Sequence, residues 1–178
     1  MPGWTPKSSK PYDQRSDAAP RSRVVLNPRY FNPDSSANAN LLTHEITHVA
    51  NQAQTGVGAP LWLVEGAAEY TAYRDPWPFP MKLPATLAAQ VRKGSIYLST
   101  YDFYQHDISA NYTAGFLACA YIARHYDEAI LRRYYRQLAP TTNVIQTLDN
   151  TRRVTRKLLG LSTEQLQHQI AIYAASTE

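Results

Sequence analysis

The sequence predicts a mainly α-helical fold with a reduced β element near its start. Apolar residues recur at three- and four-residue intervals in most segments after residue 36, which is the spacing of one helix face. Glycine and proline separate these segments from one another. Only Arg23–Leu26, bounded by Asn27-Pro28, has the short apolar run of a strand.

Length and composition indicate one globular domain, which we place at residues 22–178. The chain has 178 residues, of which 44% are hydrophobic and 18% are charged, and this balance suffices for a packed core. In residues 1–21 four prolines stand among polar residues without periodicity, so we predict an extended Pro-rich arm there. No segment approaches the roughly 20 apolar residues of a membrane span.

The first predicted helix is Ala37–Gln54. Its apolar spacing places Leu41 and Ile46 among the residues that can face the core. Gly56 and Gly58 follow, and we expect them to end the helix.

Six further helices are predicted after the first. The second helix of the chain is followed by residues 75–80, where three prolines alternate with Trp77 and Phe79 and force an irregular loop that can line a cleft. Several later helices begin at acidic or hydroxyl residues, which cap helix N termini. The six helices are Leu61–Tyr73, Pro84–Lys93, Asn111–His125, Asp127–Leu138, Thr142–Leu159 and Ser162–Ala174.

The first helix contains the motif His-Glu-x-x-His at residues 44–48. Residues four apart lie on one helix face, so His44 and His48 can present two imidazoles to one metal ion. Glu45 lies about 100° around the helix from His44, beside the metal, where it can take a proton from a metal-bound water. The motif alone also occurs on surface helices with two unrelated histidines.

A second segment, residues 62–70, strengthens the metal interpretation. Catalytic zinc sites keep three protein ligands and one open position, and two histidines with a glutamate form one recognised set. Glu65 is the third ligand in this hypothesis. Glu69 follows one helical turn later, where its carboxylate can accept the free ring N–H of a zinc-bound histidine.

These two segments together resemble the gluzincin metallopeptidases, in particular the aminopeptidase-like branch whose second helix carries a Trp-Leu-x-Glu-Gly-x-Ala-Glu-Tyr pattern. The resemblance implies an α+β zincin-like fold in which a helix pair holds zinc and a helical bundle follows. It implies that His44, His48 and Glu65 bind Zn²⁺, that Glu45 activates water and that Glu69 supports a ligand histidine. The matching residues are Trp62, Leu63, Glu65, Gly66, Ala68, Glu69 and Tyr70.

A third segment, Tyr112–Phe116, resembles the family's Tyr-x-x-Gly-Phe, in which a tyrosine from a later helix points at the zinc. Tyr112 is therefore the candidate donor to the oxyanion of a tetrahedral intermediate. The alternative is ordinary core packing, since the chain has thirteen tyrosines.

The resemblance covers about residues 22–174 and extends to secreted or envelope-associated peptidase-like proteins of actinobacteria. In those proteins an Asn-Pro segment and a Leu-Thr-His-Glu helix start precede the site, as residues 27–28 and 42–45 do here. We therefore expect a secreted or cell-envelope location, although residues 1–10 lack the apolar segment of a signal peptide.

Gluzincins normally carry a several-stranded sheet before the zinc helix, and its edge strand holds the peptide substrate. Only 43 residues precede His44 in this chain. We expect either a shortened version of the family fold or a smaller substitute for the sheet.

Two functions remain open on the sequence. The first is zinc-dependent hydrolysis of a peptide or protein substrate. The family branch that the chain resembles includes exopeptidases, which read the free amine of the substrate through a Gly-x-Met-x-Asn-type segment before the zinc helix. Residues 27–33 stand there instead, so an endopeptidase or an unusual, restricted substrate is favoured. The second is a non-catalytic zinc-containing binding module derived from a gluzincin. Glu45 has no structural duty in a helix that only binds metal, and its presence together with Tyr112 favours the enzyme.

The other ionisable groups are predicted to be structural or solvated. Cys119, the only cysteine, has core-like helical spacing and is not expected to be a reactive thiol. His106, Asp102 and Asp107 are predicted to lie in a surface loop, and substrate contact is the alternative for these three. His125 and His168 are also predicted to lie at the surface.

The net charge of +4 comes with two basic clusters on predicted helices. Solvated faces explain them, and the same charge is compatible with attraction to acidic peptides or envelope polymers. Without a nucleic-acid-binding motif we expect no nucleic-acid partner. The clusters contain Arg132, Arg133, Arg136, Arg152, Arg153, Arg156 and Lys157.

Overall fold

The computed structural model describes residues 24–27, 29, 31, 35–75 and 82–177, and within them it contains seven α-helices and no strand. The mainly helical fold class is therefore confirmed. A short 3₁₀ turn, Gln52–Gln54, follows the first helix. The helices are α1 (Ser36–Asn51), α2 (Leu61–Tyr73), α3 (Ala85–Arg92), α4 (Ile108–Tyr126), α5 (Glu128–Leu138), α6 (Val144–Leu159) and α7 (Thr163–Ala175).

The predicted N-terminal β element is wrong for the residues that the structure describes. Residues 24–26 are irregular, and Val25 is 73% exposed. A single β-branched run becomes a strand only where a neighbour pairs with its backbone N–H and C=O groups, and the described part of the chain supplies none. The arm at residues 1–21 and most of the aromatic loop, residues 76–80, lie outside the described residues.

The longest helix, α4, lies at the centre of the core. Its residues from Ala114 to Ala123 are all buried, and it packs against α2, α5 and α7. It begins three residues earlier than predicted because the Asp107 carboxylate caps it, accepting from Ala110 N at 3.1 Å. The core side chains that surround α4 are mostly apolar, which explains why this long helix tolerates burial on every face.

The crossing of α2 and α4 is unusually close, and two glycines make it possible. A Cβ atom on Gly66 would lie 2.8 Å from Cα of Gly115, and a Cβ atom on Gly115 would lie 2.7 Å from the backbone oxygen of Trp62. Neither contact leaves room for a methyl group. Because Glu65 precedes one of these glycines and Tyr112 lies one turn before the other, the contact sets the spacing between two candidate site residues.

Helix α1 carries the His-Glu-x-x-His motif and packs mainly on α2. Its only buried residue is His44, while Leu41 and Ile46 are 48% and 51% exposed. The prediction that these two residues face the core is wrong, because in the described residues the outer side of α1 has no second layer. The helix contacts α2 through the histidine-bearing face instead.

The chain after α1 is held against the connection between α5 and α6. Gly56 N donates to Ala139 O at 2.7 Å, and Gly58 N donates to Thr141 O at 2.8 Å. A Cβ atom on Gly56 would lie 2.6 Å from Thr141 O. These glycines therefore allow two backbones to approach, and α1 itself ends earlier, at Asn51.

The C-terminal helices expose their charged faces. All seven arginine and lysine residues of the two predicted basic clusters are exposed on α5 and α6. The buried side of this helix pair carries a hydrogen bond between Tyr134 OH and Thr155 Oγ1 at 2.7 Å. In the part of the chain that the structure describes, none of the helices combines the length and apolar character needed to cross a bilayer.

Candidate metal centre

Three side-chain atoms from two helices converge on one point. Nε2 of His44 and Nε2 of His48 lie 3.0 Å apart on α1. Oε2 of Glu65 on α2 lies 3.3 Å from the first nitrogen and 3.2 Å from the second. His44 and Glu65 are buried, whereas the His48 side chain is 24% exposed, so the cluster has one side toward solvent.

The size of this triangle fits a small divalent metal ion. Nitrogen and oxygen ligands lie about 2.0–2.1 Å from a tetrahedral zinc ion, which places neighbouring ligand atoms roughly 3.3 Å apart. The three observed separations, 3.0, 3.2 and 3.3 Å, are close to the edges of one face of such a tetrahedron. The cluster His44, His48 and Glu65 can therefore hold a metal ion.

The charges around the triangle favour a cation. Burial lowers the pKa of His44, but the close contacts and negative charges of Glu65 and Glu69 raise it more, to about 9. Burial raises the pKa of Glu65, yet the contacts from His44 and His48 hold that pKa well below its ordinary value. Two carboxylates thus stabilise positive charge at this point, and a metal ion would satisfy them in place of a proton.

Glu69 lies behind His44, on the side away from the cluster. Its Oε1 is 3.0 Å from Nδ1 of His44, which is the distance of an ion pair, although the N–H direction misses hydrogen-bond geometry. A carboxylate at this nitrogen fixes the tautomer that leaves Nε2 free for a metal. The helical spacing of Glu65 and Glu69 thus brings both carboxylates to the same imidazole.

Glu45 follows His44 directly in the sequence of α1. It is half-buried. Among the described residues its carboxylate has neither an ion pair nor a hydrogen bond. A carboxylate in this state is available to exchange a proton with a water molecule or substrate.

Tyr112 approaches the cluster from α4. Its ring centroid is 5.9 Å from that of His44. Burial raises the pKa of its hydroxyl, and the negative charge of Glu65 raises the pKa further, so Tyr112 stays protonated and can donate its O–H at neutral pH. The structure therefore brings Tyr112 next to His44 of the candidate cluster.

Tyr104 is a further site residue, which the sequence reasoning missed. Its hydroxyl donates to Oε1 of Glu65 at 2.5 Å, although the residue is 53% exposed. It lies in the irregular segment between α3 and α4, 39 positions from its partner. Neither helical spacing nor a motif marks such a contact, and only the folding of that segment onto α2 creates it.

The other ionisable residues lie away from the metal ligands or have structural partners. Asp102 and His106 form an exposed ion pair at 3.4 Å. Asp107 caps α4, and burial raises the pKa of the Cys119 thiol, so it is not a nucleophile at neutral pH. His125 stacks on Tyr121, and His168 contacts the backbone oxygen of Gly94.

Comparison with known families connects the motif helix to one described domain. The family model of the eCIS core domain matches residues 16–56, a segment that contains His44, Glu45 and His48 but neither Glu65 nor Tyr112. This domain is associated with peptidase-like zinc domains of the HExxH type. No curated protein and no solved structure matches the chain. The match covers less than a quarter of the chain. Independently of it, the structure contains a His-His-Glu cluster that could hold a metal ion.

Proposed function

We propose that this protein is a zinc-dependent hydrolase of peptide bonds, with a gluzincin-type site. The observation that supports this most strongly is the convergence of three ligand atoms with separations of 3.0–3.3 Å, with the ring of Tyr112 at 5.9 Å from that of His44. A structural zinc site is closed by a fourth protein ligand. Here the described residues supply three ligands, as catalytic sites do.

Zinc is the metal that this ligand set favours. Two imidazoles and one carboxylate suit zinc among the common divalent ions, whereas magnesium and calcium prefer ligand sets made of oxygen alone. When bound, zinc supplies a Lewis acid that lowers the pKa of water and polarises a carbonyl group.

The chain's own residues divide the remaining chemistry. Glu45 accepts a proton from the attacking water and later delivers it to the nitrogen of the leaving amine. Tyr112 donates its O–H to the oxygen that becomes negative when the carbonyl carbon turns tetrahedral. Glu69 keeps His44 oriented, with Nδ1 toward the carboxylate and Nε2 toward the metal position.

The substrate would be held differently from that of a gluzincin with a sheet. In residues 35–75 and 82–177 no strand is available to pair with a peptide backbone. Side chains from α1, α4 and the segment before α4 would then have to orient the scissile bond. We propose an endopeptidase or an enzyme of restricted substrate range, because no Gly-x-Met-x-Asn-type segment stands before residue 44.

The first experiment measures metal content by elemental analysis in wild type, His48→Ala and His125→Ala. We expect about one zinc per chain in wild type and in His125→Ala, whose histidine lies outside the cluster, and none in His48→Ala. A stable wild-type protein that cannot be loaded with zinc would contradict the proposal.

The second experiment separates metal binding from turnover. Glu45→Gln should retain zinc and lose cleavage of a peptide library, because the amide keeps the shape of the side chain but cannot accept the proton. Full activity in this variant would show that the assigned mechanism is wrong. Zinc binding without any cleavage by wild type would favour a non-catalytic binding module.

A further inference from the structure

We infer that Tyr104 is a positioning residue that keeps Glu65 a one-oxygen metal ligand, by holding the second carboxylate oxygen away from the metal. The inference rests on the proposed metal centre and adds to it a residue outside its motifs.

The two oxygens of the Glu65 carboxylate face different partners. Oε2 lies within 3.3 Å of Nε2 of His44 and of Nε2 of His48. Oε1 accepts a hydrogen bond from the Tyr104 hydroxyl at 2.5 Å. A hydrogen bond this short to a buried carboxylate is strong, because the acceptor is charged. The carboxylate is therefore oriented before any metal arrives.

Tyr104 is held in place although half of it is exposed. Its ring makes an edge contact with Phe103 at 5.1 Å, and Phe103 is fully buried. Nδ2 of Asn111 donates a hydrogen bond to the backbone oxygen of Phe103 at 2.7 Å, which attaches the segment to the first turn of α4. The Tyr104 hydroxyl thus reaches Glu65 from a fixed base rather than from a free loop.

The same phenylalanine also orders the second phenol. Phe103 contacts the ring of Tyr112 at 5.0 Å with an interplanar angle of 86°. One buried ring therefore sets the position of both tyrosines beside Glu65. The Tyr112 hydroxyl also interacts with Glu65 and with Tyr104, so the two phenols and the carboxylate form one connected group.

Holding Oε1 has a direct consequence for coordination. A carboxylate with two free oxygens can bind a metal through both, which occupies a position that a catalytic site keeps open. A hydrogen bond to Oε1 opposes this and strengthens the orientation of Oε2. Outer partners of this kind change metal affinity by about 10- to 100-fold when they are removed.

The test is competition for zinc between the full-length apoprotein and a chromophoric chelator. Tyr104→Phe keeps the ring on Phe103 and removes only the hydroxyl, so we expect the zinc Kd to rise about 10- to 100-fold. Tyr97→Phe is the matched control: Tyr97 is also 53% exposed and also donates to a carboxylate, that of Asp102 at 3.2 Å. This control should leave the zinc Kd unchanged.

Two further readouts separate positioning from a structural or catalytic role. The thermal unfolding midpoint of the apoprotein should match between Tyr104→Phe and Tyr97→Phe. With Co²⁺ in place of zinc, the visible absorption of Tyr104→Phe should weaken, because a carboxylate that binds through both oxygens raises the coordination number.

An unchanged zinc Kd in Tyr104→Phe would overturn the inference. If turnover in that variant also fell as strongly as in Tyr112→Phe, Tyr104 would act on the substrate instead. A raised Kd in a protein whose wild type cleaves no peptide would support the role of Tyr104 while rejecting the proposed hydrolase.

Discussion

At the residue scale, the burial of His44 and Glu65 is the feature that most needs an explanation. Charged or polar side chains enter a protein interior only when partners compensate for the lost hydration. Here the compensation is mutual, since His44 contacts both Glu65 and Glu69. The arrangement is suited to a cation, whether a proton or a metal ion occupies it.

Tyr112→Phe tests the role of the phenol on α4. If its O–H stabilises the oxyanion, kcat should fall about 10²- to 10³-fold, while zinc content and the apoprotein's unfolding midpoint stay as in wild type. Steady-state kinetics on a cleaved peptide and elemental analysis check this. An unchanged kcat would assign Tyr112 to packing against Phe103 alone.

Glu69→Ala tests the carboxylate behind His44. Removing it should weaken zinc binding by about 10- to 100-fold, because the imidazole loses the partner that fixes its tautomer and orientation. Chelator competition measures the Kd, and Glu164→Ala, on the exposed first turn of α7, serves as the control. Equal zinc affinity in the two variants would show that Glu69 does not contribute to metal binding.

At the scale of the helices, the crossing of α2 and α4 determines where the ligands can lie. Glu65 and Tyr112 come from different helices, and the contact between Gly66 and Gly115 brings those helices to backbone distance. Larger residues there would separate Glu65 from the phenol. The glycines thus act on the site through helix packing rather than through chemistry.

Gly115→Ala should destabilise the protein by about 1–3 kcal/mol and weaken zinc binding, because the added methyl group forces α2 away from α4. Urea unfolding and chelator competition measure the two effects. Ser109→Ala, an exposed change on the same helix, should alter neither. A stable Gly115→Ala variant with wild-type zinc affinity would show that the crossing is not limiting.

At the scale of the whole molecule, α1 is the least supported part of the metal centre. It packs mainly on α2, only His44 in it is buried, and its C-terminal end is attached through the glycine-mediated contacts with residues 139 and 141. No residue of α1 belongs to the buried apolar cluster around α4. A metal ion held by His44, His48 and Glu65 would therefore add a direct link between α1 and α2.

Removing the metal should loosen α1 selectively. In hydrogen exchange, amides of α1 should lose protection when zinc is chelated, while amides in the centre of α4 should change little. Zinc at about 100 times its Kd should stabilise the domain by about 2.7 kcal/mol, visible as a raised thermal midpoint. Equal loss of protection in α1 and α4 would instead indicate that metal and core fold as one unit.

Most of the helical architecture could be predicted from local patterns. Six of the seven helices begin within two residues of the predicted positions, and capping by Asp127 and Ser162 accounts for starts that a pattern can recognise. The predicted strand failed because strands depend on partners that are remote in sequence. The prediction that Leu41 and Ile46 face the core was wrong for a similar reason, because periodicity identifies an apolar helix face but does not show whether another element covers it.

The sequence by itself determined the three candidate ligands, His44, His48 and Glu65, and the position of Glu69 one turn after the third. All four residues lie on regular helices, where a spacing of four residues translates directly into one face. The tertiary structure alone decided that Tyr104 reaches Glu65 and that Phe103 holds both phenols. Those contacts join an irregular segment to two helices, and no local spacing encodes a distance across the fold. The glycine contact between α2 and α4 is of the same kind: the residues are visible in the sequence, but what they allow to approach is not.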